Sequence, residues 1–156
     1  MVDAIDVRIL RILVEDGRAA YSHIARMLNL SDVAVKKRVE KLLQKGIIKA
    51  IRAELDYKKI GYSYTVFFEV KTEPQETPRV FRRLMDLPNT LEGHIVIGDY
   101  TILVKALAES VDAIKELLDR IGKIEGVLEV KSFISLESAS KPVEFPAKLA
   151  QRTLGA

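Results

Sequence analysis

Four cations fall between positions 36 and 41: Lys36, Lys37, Arg38 and Lys41. On a helix, at about 100° per residue, Val35, Val39 and Leu42 turn to one side, so Asp32, Val33, Lys36, Lys37 and Glu40 fall on outward faces. Lys36, Lys37, Arg38 and Lys41 are then placed to reach phosphates or guanines, because such cations neutralise phosphate and donate to the O6 and N7 acceptors of guanine. Ser31, just ahead of them, either donates to a phosphate or caps the helix. The competing reading of so basic a run is a solvated charged surface.

Enzymatic chemistry has little to build on. The chain has no Cys and only two histidines, His23 and His94, so neighbouring positions offer no zinc ligand set, thiol nucleophile or iron–sulfur site. No phosphate loop or nucleophile elbow occurs. Glu92 beside His94 reads as a surface charge next to a partly buried ring. The expectation is a protein that is not an enzyme, with no catalytic residues, no metal site and no cofactor.

The elements that would position the basic run are legible on both sides of it. Asp3 caps a first helix carrying Ile5, Ile9, Ile12 and Leu13 at helical spacing, and Gly17 stops it. A second runs from Tyr21 to Leu28, with Ile24, Leu28 and the small Ala25 inward. Asn29-Leu30-Ser31 makes a very short turn, since Asn tolerates the left-handed conformation that ends a helix. The third helix then ends before Gly46. Helix, three-residue turn, helix is the pattern of a helix-turn-helix, whose second helix enters the major groove of DNA. Ile47, Ile48, Ile51 and Ala53 suggest a strand leaving this module, in the manner of a winged helix.

From Tyr62 the pattern alternates strands and helices. Tyr62 to Val70 is a strand, Thr77-Pro78 a cap and first helical residue, and Val80, Phe81, Leu84 and Leu87 an apolar stripe. Leu91 to Ile97 and Thr101 to Ala108 flank a hairpin turn at Gly98-Asp99-Tyr100. Ser110 caps a helix with Ile114, Leu117, Leu118 and Ile121, closed by Gly122, and Val127 to Leu136 is the last strand. The expected class is α+β, a helix-turn-helix domain at 1–54, a linker at 55–61, a βαββαβ ferredoxin-like sandwich at 62–137 and a tail at 138–156. The tail has Pro142 and Pro146 and a weak apolar pattern at Leu149 and Leu154, and reads as a flexible tail or a short docking helix.

Charge divides along the same boundary. The formal net charge of the chain is +3, but residues 1–60 hold 13 Lys and Arg against 8 Asp and Glu, and residues 61–156 hold 12 against 14. A basic module is joined to a slightly acidic one, which points the first toward nucleic acid. At 156 residues and 48% hydrophobic the chain can bury a core, which excludes wholesale disorder. Its longest apolar runs are about half the roughly 20 residues of a membrane helix. Asp3, Asp6 and Arg8 also interrupt any N-terminal signal segment, so the expected setting is cytoplasmic, with no membrane partner. In the sandwich, Ile102, Val104 and Ala106 alternate with Leu103 and Leu107, and Val66 and Phe68 with Phe67. Both faces thus read as apolar, and a second copy of the chain is the simplest cover, giving a homodimer through the sheet.

These residues also carry a resemblance. Ile5-Asp6, Ile9-Leu10, Asp16-Gly17-Arg18, Ile24-Ala25, Leu30-Ser31, Val35, Arg38-Val39, Leu42 and Gly46-Ile47-Ile48-Lys49, followed by Leu55-Asp56, Ile60-Gly61 and the βαββαβ half, resemble the Lrp/AsnC transcription regulators, the leucine-responsive or feast/famine family. The resemblance covers roughly residues 3 to 137. It implies a sequence-specific regulator that binds double-stranded DNA through Ser31, Asp32, Val33, Lys36, Lys37, Arg38 and Lys41 and associates with the nucleoid. It also implies a RAM domain that dimerises through its sheet, dimers that assemble into tetramers, octamers or similar rings, and an amino-acid effector near Gly98, Asp99, Tyr100 and Thr101. Two positions depart from the family pattern. Asn29 stands where Gly is common, and Thr101 replaces the second Asp of a Gly-Asp-Tyr-Asp turn, which removes one partner for a ligand ammonium. The turn therefore reads either as an effector contact or as an ordinary tight turn.

Two other classes compete with a DNA reader. One is a metabolite sensor whose helical module contacts protein. The other is an RNA-binding protein, since Gly61 to Phe67 is aromatic and the fold is shared. That segment lacks a leading cation and sits on the first strand where RNA-stacking aromatics need the third, so a core and interface strand is the better reading.

Overall fold

The computed structural model describes residues 2–146 and Leu149. The chain divides into two compact units between Glu54 and Leu55, and the described residues from 139 belong with the first.

The first unit is three helices, α1 (Ala4–Glu15), α2 (Tyr21–Leu28) and α3 (Asp32–Gln44). Asp3 opens α1 through a reciprocal box: its carboxylate accepts from the Asp6 N–H at 2.8 Å, and Asp6 accepts from the Asp3 N–H at 3.2 Å. At eight residues α2 is too short to persist alone in water. It is held by Ile24 and Ala25, which are buried against Ile9, Val35 and Val39, and full burial of each large side chain contributes about 1.5–3 kcal/mol. Asn29 ends α2 at φ 56° and ψ 49°, and Ser31 accepts from the Ala34 N–H at 3.2 Å to start α3. The turn between the two helices is thus fixed by residues that favour those conformations locally.

Beyond α3 the chain differs from the sequence reading. Among the described residues 47–54 contain no strand, so the winged element is absent from this unit. A single strand needs a neighbour for its N–H and C=O groups, and the described residues of the first unit supply none. Ile48 instead packs on the helical core. The linker is not featureless either, because Asp56 accepts from the Lys58 and Lys59 N–H groups and sets up a 3-10 turn over Lys58–Ile60. Residues 139–146 are irregular rather than a helix. They attach to the first unit, with the Ser140 hydroxyl donating to Glu54 at 2.7 Å and Arg11 lying 5.9 Å from the Phe145 ring centroid. Leu154 lies outside the described residues.

The second unit is β1 (Tyr64–Thr72), α4 (Thr77–Met85), β2 (Thr90–Ile95), β3 (Ile102–Ala108), α5 (Val111–Gly122) and β4 (Val127–Ile134). The sheet order is β2-β3-β1-β4 with antiparallel neighbours, the split-βαβ arrangement. Val66, Phe68 and Val70 face Val80 and Leu84 of α4 and Ile114, Leu117 and Ile121 of α5 across one core. Ser110 caps α5 by accepting from the Ala113 N–H. Two end assignments shift. Thr77 is the first residue of α4, not its cap, and its buried hydroxyl is drawn into the sheet by Thr72 at 2.7 Å. Gly122 is the last helical residue of α5, with Lys123 as the cap.

The other face of the sheet is less apolar than its sequence suggests. Strand register sets Phe67 between Lys105 and Phe133, and Glu69 between Leu103 and Lys131. Lys71 faces Glu129 and Lys105 faces Glu92 across their strands. Apolar and oppositely charged residues therefore share this face, and cross-strand charge pairs of this kind stabilise a sheet while remaining solvated. Tyr64, from the aromatic segment that suggested RNA, packs toward the helices beside Phe68.

Candidate nucleic-acid interface and effector turn

The buried residues of α3 are Val35, Val39 and Leu42, and everything else about the helix follows from that side being inward. At about 100° per residue, Val33, Lys37 and Gln44 lie opposite the core, with Lys36 and Lys41 to either side. Ser31, Asp32, Val33, Lys36, Lys37, Glu40 and Lys41 are all exposed. Lys36 and Glu40 approach to 3.9 Å with side chains 64% and 51% exposed. A pair so exposed contributes only about 0.3–0.5 kcal/mol, so it yields readily to a phosphate. Asp32 sits in the first turn, where a carboxylate favours the helix dipole.

Arg38 stands apart from its basic neighbours. Its guanidinium donates to Asp3 at 2.6 Å and to Asp6 at 2.7 Å, and its side chain is only 30% exposed. The sequence reading grouped Arg38 with the groups free to meet DNA. Here it is turned inward, and ties the start of α1 to the middle of α3. Burial works to raise the Asp3 carboxyl, but the Asp6 N–H and the Arg38 guanidinium outweigh it and hold that group below its usual range. Hydrogen bonds to Asp3 and Asp6 hold Arg38 above the usual guanidinium range.

The turn at 98–101 is anchored at one end and open at the other. The Val96 N–H donates to the Thr101 carbonyl at 2.8 Å, and the Thr101 N–H donates to Val70 at 3.0 Å. The Thr101 hydroxyl joins Thr72 at 2.7 Å, and Thr72 in turn joins Thr77. Thr101 thus serves the sheet and α4, where a second Asp would place a carboxylate among hydroxyls already paired. Tyr100 receives Lys131 over its ring, 4.5 Å from the centroid. Lys131 acts to lower the Tyr100 phenol, while burial and the nearby Glu129 raise it and prevail. Gly98 and Asp99 are exposed, and Asp99 carries the one carboxylate of this turn. Lys131 and Glu129 come from β4, and only strand pairing reveals them as neighbours of the turn.

The remaining candidates form no site among the described residues. His94 and Glu92 share a hydrogen bond of 2.9 Å, but both side chains are more than half exposed, so the ring is more open than the sequence suggested. No group of three or more His, Cys, Asp or Glu side chains converges there for a metal ion. No described helix is long and apolar enough to cross a membrane.

Comparison with known proteins agrees with this geometry. Residues 2–43 match the AsnC-type helix-turn-helix domain, and residues 65–144 match the Lrp/AsnC ligand binding domain. The chain is 36% identical to the HTH-type transcriptional regulator LrpA of Pyrococcus abyssi, over 88% of this chain and 98% of that one. It is 31% identical to the HTH-type transcriptional regulator FL11 of Pyrococcus horikoshii, covering 94% and 97% of the two chains. Among solved structures, the feast or famine regulatory protein of M. tuberculosis complexed with L-methionine superposes with a TM-score of 0.83 at 25% identity. That match covers 94% of this chain and 100% of the other.

The Arg38 pair makes a measurable claim about stability. Asp3 titrates below its unfolded value of about 3.9, so its contribution is present above that pH and is lost as pH falls through the folded value. Replacing Arg38 with Met leaves the buried Asp6 carboxylate without a cation, which costs about 1–3 kcal/mol at pH 7. Urea unfolding followed by helical circular dichroism is expected to show that gap at pH 7 and a smaller one at strongly acid pH, once pH has fallen through the lowered titration of Asp3. An equal gap at both pH values would remove the ion pair as its cause. On these domain matches and relatives, the chain belongs to the Lrp/AsnC family of helix-turn-helix transcription regulators.

Proposed function

We propose that α3 lies in the major groove of double-stranded DNA with Lys36 and Lys41 on the two flanking phosphate backbones, Lys37 and Val33 toward the bases, and Ser31 and Asp32 at the entry. The observation that carries this reading is the separation of roles on one helix. Its three buried residues and Arg38 fix the inner side, and the exposed lysines and Val33 occupy the outer side. Arg38 is accordingly assigned to positioning α3 and not to the phosphates. The protein acts as a dimer or a larger ring, with sheets joined through the face bearing Phe67, Leu103 and Phe133. Self-pairing of that face sets opposite charges such as Glu69 and Lys131 where a two-fold partner presents the same residues. Recognition helices held this way address half-sites one helical turn apart, roughly 34 Å, or a multiple of it. Such a role places the protein with the nucleoid in the cytoplasm.

The second unit is proposed to sense an amino acid at the 98–101 turn, without enzymatic chemistry. The L-methionine held by the M. tuberculosis relative supports that class of ligand. Asp99 supplies the carboxylate for the ammonium, and Lys131 of the neighbouring strand offers a cation for the ligand carboxylate.

Two measurements test these assignments. Fluorescence anisotropy with duplex DNA over a range of salt concentration is expected to show that Lys36→Ala and Lys37→Ala each weaken binding. The slope of log affinity against log salt should fall by about one for Lys36→Ala. Unaltered affinity and slope in both variants would remove α3 from the interface. For the effector, L-methionine at ten times its dissociation constant should stabilise the protein by about 1.4 kcal/mol, read as a rise in melting temperature that Asp99→Asn abolishes. A rise of equal size in Asp99→Asn, or none in the parent protein with any of the common amino acids, would count against the turn.

A further inference from the structure

Val33 occupies the first turn of α3 and is 61% exposed, one turn before Lys37 and on the side opposite the buried Val35, Val39 and Leu42. A β-branched side chain there contributes nothing to the core, and its propensity for helix is below average. Nearly everything the major groove presents is a hydrogen-bonding group. Its one apolar feature is the C5-methyl of thymine. We infer that Val33 is a base-reading residue that packs its two methyl groups on a thymine methyl in each half-site. Lys37 then addresses a guanine nearby. Residues one turn apart are separated by about 6 Å along the helix, against 3.4 Å per base step, so the two bases lie within about two steps of each other.

This inference rests on α3 being the groove element, and it adds sequence preference where the phosphate contacts supply affinity alone. Charge contacts to phosphate carry no sequence information. An aliphatic side chain does, because it distinguishes thymine from cytosine, which presents a donor and no methyl at the same edge.

The test begins with in vitro selection of duplexes from a random library by the full-length protein. The expected consensus contains a fixed thymine in each half-site within two positions of a guanine. In the selected duplex, replacing that thymine with deoxyuridine removes only the methyl. It should weaken the parent protein about three- to five-fold and leave Val33→Ser unaffected, while Val33→Ser selects a consensus relaxed at that position. Val33→Ser is on the surface, and an unchanged unfolding transition checks that the fold is retained. A consensus without such a thymine, selection that yields no consensus, or a deoxyuridine penalty of equal size in Val33→Ser would overturn the inference. The Lys36→Ala variant separates the two levels. If it too leaves affinity and salt slope unchanged, the placement of α3 in the groove fails. If it weakens binding while no thymine depends on Val33, only the reading by Val33 fails.

Discussion

The double contact of Arg38 with Asp3 and Asp6 determines what the rest of α3 is free to do. Asp3 and Asp6 already cap α1 through each other's backbone N–H groups, so their carboxylates are fixed independently of the guanidinium. One planar cation then meets two acids held one helical turn apart. The result ties the first turn of α1 to the centre of α3, a directional link added to the packing of Val35, Val39 and Leu42. Hydrogen-bonded charge pairs are directional, and their penalty for misplacement is steep when one partner is buried. Orientation of the outward stripe follows from the buried face and that inner bond together.

The second unit applies a similar device at its turn. Thr101, Thr72 and Thr77 form a chain of hydroxyls that links the end of β1, the start of α4 and the loop between β2 and β3. One end of the 98–101 turn is thereby held, and Asp99 is left exposed on a rigid base. A ligand contact built on a fixed scaffold loses less conformational entropy on binding than one on a free loop. Thr101 in place of a second carboxylate thus gives a firmer turn.

Much of this was legible in the residues because the signals are local. The bounds of α2 coincide with the apolar spacing from Tyr21 to Leu28, and Asn29 and Ser31 act within three positions of themselves. What escaped the sequence depends on distant partners. Ile47 to Ala53 has the composition of a strand, but a strand exists only with a neighbour, and none lies among the described residues of its unit. Thr77 resembled a cap because its attraction to Thr72 is tertiary. Lys131 reaches Tyr100 only through the pairing of the sheet. Arg38 is the instructive case, since it follows Lys37 in sequence yet lies only about 60° from the centre of the buried face on a helical wheel. That angle, together with an acidic capping box thirty-odd residues earlier, is the signal that would have separated it from its basic neighbours.

A salt titration of Arg38→Met addresses the separation of roles on α3 most directly. Affinity for duplex DNA is measured against salt at a temperature where parent and variant are both folded. The division of labour described above predicts that the slope of log affinity against log salt is the same for both, because Arg38 neutralises Asp3 and Asp6 and no phosphate. A slope smaller by about one, as loss of a phosphate contact would give, would contradict it.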